Sequence, residues 1–131
     1  MLYRGKKMNK SQAIHNFWSG FGIPAYDENT VPDNPGQRYI AYSVSTGSLD
    51  DVINMYAKIW DLDTNSWKFV EDKASEIAYA ITTMVPPTIQ IDNGRLYISK
   101  GNPFSQRLSD AENDRVRGVY INIQAEFLSA Y

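Results

Sequence analysis

The strongest constraint in this chain is a strict alternation near its C-terminal end. Val119, Ile121, Ile123, Ala125 and Phe127 alternate with Tyr120, Asn122, Gln124 and Glu126. Successive side chains of an extended strand point to opposite faces. The run therefore predicts a strand over about 115–127 with one packed face. The other face meets solvent or a partner.

Shorter runs supply neighbours for it. Over residues 38–46, Ile40, Tyr42 and Val44 alternate with Ala41, Ser43 and Ser45. Over 52–60, Ile53, Met55, Ala57 and Ile59 share a face, while Tyr56 and Trp60 point the other way with Lys58 between them. Gly47 and the Asp50–Asp51 pair lie in the connection, which predicts a hairpin. A second hairpin joins 88–92 to 95–100 through Asn93-Gly94, a pair suited to the positive φ of a tight turn. Ile89 and Ile91 share one face there, as do Leu96 and Ile98.

Two stretches carry helical spacing instead. Ile14, Phe17, Trp18 and Phe21 build one stripe over residues 10–21. Asn9 and Gln12 have the spacing of a capping box, and Gly20, Gly22 and Pro24 stop the helix. Over residues 66–82 the stripe is Trp67, Val70, Ala74, Ile77, Ala78 and Ile81. Thr64, Asn65 or Ser66 can cap this helix, and Pro86 and Pro87 end it. Residues 22–37 and 101–113 read as polar loops.

The expected order is α-β-β-α-β-β-β. Five mainly antiparallel strands would present one apolar face, and two helices would cover it as a two-layer α+β sandwich. Residues 9–131 form a single domain by this reading. Residues 1–8 form a basic arm with Arg4, Lys6 and Lys7. Met8 is a second possible start, which would make the first seven residues an upstream extension.

Composition narrows the chemistry. With no cysteine there is no disulfide, thiol nucleophile or thiolate metal site. His15 is the one histidine, so a Ser-His-Asp triad would have to use it. The helical spacing turns it outward or to the edge of the stripe. A net charge of −2 argues against broad coating of nucleic acid. No apolar run approaches the roughly 20 residues of a membrane helix. Aromatics make 13% of the chain, which points to a dense core or a large contact surface.

Candidate sites are few. Asp61-Leu62-Asp63-Thr64-Asn65 opens like a calcium loop. Ser66 then stands where the sharp turn needs glycine, and Asp72 where a bidentate glutamate belongs. The segment reads as a strand-to-helix turn. The other acids are scattered through polar loops, with no paired arrangement for acid–base work. No residue is assigned a catalytic, metal-binding or cofactor-binding role. The outward sheet face is more suggestive: Tyr56, Trp60, Tyr97, Tyr120, Asn122 and Gln124 have the composition of an interface.

The order of motifs also carries a resemblance. Residues 17–26, FWSGFGIPAY, run on into 27–32, DENTVP. They are followed by Tyr39-Ile40-Ala41-Tyr42, Ser66-Trp67, Pro103-Phe104-Ser105-Gln106-Arg107 and residues 120–127, YINIQAEF. Over residues 8–131 this set resembles the small minor capsid or tail-completion proteins of long-tailed, non-contractile phages and prophages of Gram-positive bacteria.

The resemblance implies a non-enzymatic tail terminator. Its fold would be a sheet with two helices on one side. The partners implied are further copies of the chain in a homohexameric ring, the tail tube protein and the head-neck connectors. DNA would pass through the lumen without specific binding, helped by an acidic subunit, and no membrane is involved. The place implied is the tail-head junction of a virion, after assembly in the host cytoplasm. No cofactor is implied.

A ring needs two complementary patches per subunit. The expected suppliers are the loop holding Tyr26, Asp27, Glu28 and Asp33, and the loop around 102–107. In the latter Phe104 would be an anchor and Arg107 a pairing charge. Tyr56, Trp60, Tyr97 and Tyr120 on the sheet face complete the expected contact residues. Three other readings compete: a head-side joining protein, a small carboxylate hydrolase and a single-strand nucleic-acid binder.

Overall fold

Inward-facing side chains from every strand of one continuous sheet meet both helices in a single core. The computed structural model describes residues 8–46, 51–84, 88–109 and 112–129. Eight elements follow in chain order: α1 (Lys10–Ser19), β1 (Ala25–Asp27), β2 (Arg38–Tyr42), β3 (Val52–Asp61), α2 (Lys68–Thr83), β4 (Thr88–Ile91), β5 (Gly94–Ser109) and β6 (Arg117–Ser129). The sheet order is β1-β2-β3-β6-β5-β4.

β6 lies in the middle of the sheet, and its alternation sets one face against the core. Val119, Ile121, Ile123, Ala125 and Phe127 are all buried. They stand opposite Ile59, Ala57, Met55 and Ile53 of β3 on one side and Leu96 and Ile98 of β5 on the other. α2 lies across β3, β6 and β5 and seats Val70, Ala74, Ile77 and Ile81 on them.

The five-stranded antiparallel sandwich is not what forms. The sheet has six strands, is mixed, and curls into a half-barrel. The extra strand, β1, runs parallel to β2, with Ala25 opposite Ile40 and Asp27 opposite Tyr42. At three residues it is too short to show an alternation, and it follows Pro24 in a stretch rich in turn formers. Segment 101–113 is not a polar loop throughout. Most of it continues β5, past a bulge where residues 100–105 face residues 123–121 of β6. Bulges bend a strand and increase its twist. The curl brings the two outermost strands towards each other, and α1 touches both β1 and β4.

Smaller shifts have local causes. The tight turn of the β4–β5 hairpin is Asp92-Asn93, one residue earlier than expected, because Ile91 pairs with Gly94. Asn93 takes the left-handed conformation at φ 63°. α2 starts at Lys68, with Trp67 as a cap that makes no side-chain bond. Ser66 Oγ still accepts from the Lys68 N–H at 3.2 Å. Gly47, Asp50, Pro86 and Pro87, and the arm 1–7, lie outside the described residues.

The capping box of α1 forms in full. Asn9 Oδ1 accepts from the Gln12 N–H at 2.8 Å, and Gln12 Oε1 accepts from the Asn9 N–H at 3.0 Å. Asn9→Ala removes one of these reciprocal bonds and is expected to cost about 0.5–2 kcal/mol. The shift of the urea midpoint measures it, and an unchanged midpoint would show that tertiary packing alone holds the helix.

Candidate functional site

The expected contact residues divide into three groups by their place on the sheet. In β3, Met55, Ala57 and Ile59 point inward, so Tyr56, Lys58 and Trp60 point outward. Across the strands, Tyr56 faces Asn122, Lys58 faces Tyr120 and Trp60 faces Gly118. Trp60 also faces Tyr39 of β2. The result is a band of rings on the convex side. Tyr56 and Tyr120 stack with centroids 5.1 Å apart and planes 17° from parallel. Tyr26 and Tyr39 extend the band, 6.0 Å apart. Lys58 Nζ stands 5.9 Å from the Tyr56 ring.

Gly118 makes the band possible. A Cβ there would lie 2.6 Å from the Trp60 ring. The missing side chain lets the indole lie flat on the sheet.

The loop acids do not act alike. Glu28 reaches over the band and accepts from the Tyr56 hydroxyl at 2.6 Å. Asp27 accepts from the Asn29 N–H at 2.9 Å and so shapes the turn after β1. Asp33 is exposed. Tyr26 donates to the Pro35 carbonyl at 3.4 Å, which holds the far side of the loop against β1.

The remaining residues lie elsewhere. Tyr97 is exposed and stands opposite Thr88 and Glu126, well along the sheet from the band. Phe104 is half-buried against the core. Arg107 is not a free pairing charge. It donates to Glu71 at 2.9 Å and lies 4.4 Å over the Trp67 ring. Arg117 stacks on the same ring at 5.1 Å.

The hydrogen bond to Glu28, followed by burial and the charge of Glu28, pushes the Tyr56 hydroxyl from the ordinary 10.0 up to about 12. Burial raises Tyr39 as well, and burial with the charge of Asp27 raises Tyr42. The folded pKa of Tyr56 lies above its unfolded value. Its contribution to stability is therefore fully present below about pH 10 and lost as the pH rises through about 12. Glu28→Gln is expected to return Tyr56 towards the ordinary range. An ultraviolet titration of tyrosinate, referenced to Tyr56→Phe, reads this directly; identical curves would mean that the Glu28 contact does not hold in solution.

The acid run after β3 serves the fold. Asp61 is only 1% exposed. It accepts from Gln37 Nε2 at 3.0 Å and pairs with Arg38 at 3.4 Å. Asp63 turns towards Arg115 instead. Among the described residues no group of three or more His, Asp or Glu side chains could hold a metal ion. His15 is exposed, with Nδ1 2.7 Å from the Tyr42 hydroxyl and Nε2 3.2 Å from Ser19 Oγ. Ser19 ends α1, where outward carbonyls oppose a developing negative charge.

Tyr39 was absent from the expected contact residues. Its alternation with Ile40 and its place opposite Trp60 were the available signals. Among the described residues no helix is long and apolar enough to cross a membrane. No protein-family model matches the chain, and a search of curated proteins returns no relative.

Proposed function

We propose that the chain is a structural, non-catalytic component of a phage tail, a terminator that caps the tail tube as a ring of copies. The observation that carries this reading is the convex aromatic band of Tyr26, Tyr39, Tyr56, Trp60 and Tyr120 around Lys58. Apolar rings with hydrogen-bonding tips suit a face that exchanges water for a partner. The ordered motif set over residues 8–131 supports the choice of partner. In this role the ring stops tube growth and presents its free side to the head.

The test uses purified tail tubes and unfilled heads. Electron microscopy should show the protein at tube ends, and added tube subunits should no longer extend those ends. Binding to heads but not to tubes would overturn the terminator and favour the head-side joining role. Indifference to both would remove the phage reading altogether.

A further inference from the structure

Among the described residues the second half of β5 lacks a neighbour on one side. β4 pairs only with residues 94–97, whereas β6 pairs along both halves of β5. Among the described residues, 105–108 therefore have a strand on one side only. An unpaired edge offers a row of N–H and C=O groups to an incoming segment. Beside it lies a groove of about 430 Å³ between β5 and α2. Ala74 and Ala78 form one wall, Phe104 and Ser105 the other, and Val119 contributes from β6. An open edge beside a pocket for alternate side chains is the geometry of strand addition.

Glu71 and Arg107 both line the groove and pair with each other, which leaves the other cations of β5 to favour an acidic occupant. β5 carries Arg95, Lys100 and Arg107 and no Asp or Glu. Residues 27–37 carry Asp27, Glu28 and Asp33 and no Lys or Arg. Arg107 and Glu28 are engaged within the chain. Lys100 and Asp33 are exposed and join no ion pair among the described residues. The acidic loop adjoins β1 at one side of the sheet order, and the basic strand lies at the other. Two complementary patches on different parts of one molecule make a head-to-tail contact.

We propose that the open edge at residues 105–108, with its flanking groove, receives the loop 28–35 of a second copy of this chain. Asp33 of that loop approaches Lys100. The bulge between residues 100 and 105 keeps the open edge short, so pairing is confined to one segment. The proposal rests on the reading above that copies of the chain associate, and it names where.

The absence of native cysteine makes the test direct. Asn34→Cys and Gln106→Cys are made separately in the full chain, at exposed positions, with Asp33 and Lys100 left in place. The two variants are mixed under mild oxidation, alone and on tail tubes. A mixed disulfide dimer from the mixture, with little dimer from either variant alone, is the expected result. Lys100→Glu and Asp33→Lys should each weaken association roughly tenfold by sedimentation, and the double reversal should restore it. An assembly that forms without mixed dimers and ignores both reversals overturns this contact and leaves the ring reading standing. Mixed dimers that form while tubes stay uncapped support the contact and overturn the terminator. A chain that remains monomeric in solution and on tubes overturns both.

Discussion

Trp18→Ala is expected to destabilise the fold by about 3–5 kcal/mol, among the largest losses of any single truncation. Trp18 is fully buried and sits on α1, the helix that touches both outer strands of the sheet. The Phe17 ring meets it edge-on at 4.9 Å. Removing the indole opens a cavity in the core, and a curled sheet held by its neighbours has little freedom to close it. Urea unfolding of the two proteins measures the difference. Trp18→Phe provides the control. The Trp18 Nε1 is buried and finds no hydrogen-bond partner among the described residues. Phenylalanine keeps much of the ring and sheds that polar atom, so its cost should be about 1–2 kcal/mol. Equal losses for both variants would show that the site tolerates no change of shape.

Gly101→Ala should cost about 1–3 kcal/mol for the opposite reason, overfilling. A Cβ at residue 101 would stand 2.8 Å from Asn122 Cβ and 3.0 Å from the Asn122 carbonyl carbon and oxygen. Two of those atoms are backbone. β6 cannot yield easily, because β3 holds it from the other side with Tyr56 opposite Asn122. The bulge must move instead, and with it the Asn122 side-chain bond to the Pro103 carbonyl at 3.0 Å. Gly118→Ala makes a useful contrast. It too meets a neighbour closely, but the neighbour is the outer end of the Trp60 ring, which lies on the convex face and can swing. Its stability loss should be smaller, with the change appearing in tryptophan fluorescence. A Gly101→Ala protein as stable as the parent would mean that the bulge is soft.

The parts of the fold that were readable in the sequence are those with a long, unbroken period. The alternation of β6, the stripes of α1 and α2 and the Asn9–Gln12 box each repeat one physical preference over many residues. β1 could not be read that way, because three residues beside a proline carry no period. Its parallel pairing with β2 depends on where the chain returns after residues 28–37. β5 was hidden by its own bulge. The extra residues between 100 and 105 break the parity, and Gly101, Asn102 and Pro103 look like a turn. The expected contact residues fared unevenly for the same reason. Tyr56, Trp60 and Tyr120 fall together because regular strands carry them. The expected pairing charge Arg107 is satisfied within the chain, and no local spacing shows it, since Glu71 lies 36 residues away in α2.

The position of α1 has a consequence for the order of events during synthesis. α1 leaves the ribosome well before one of its two seats, β4, which begins at residue 88. The Met8 carbonyl likewise accepts from the Asp92 N–H at 2.8 Å. α1 can meet β1 early, but its second seat exists only after β4 has been made. β3 faces a similar delay, because its partner β6 begins at residue 117. A chain cut before β6 leaves β3 without one of its two neighbours in the sheet, and long-range pairing of this kind slows folding.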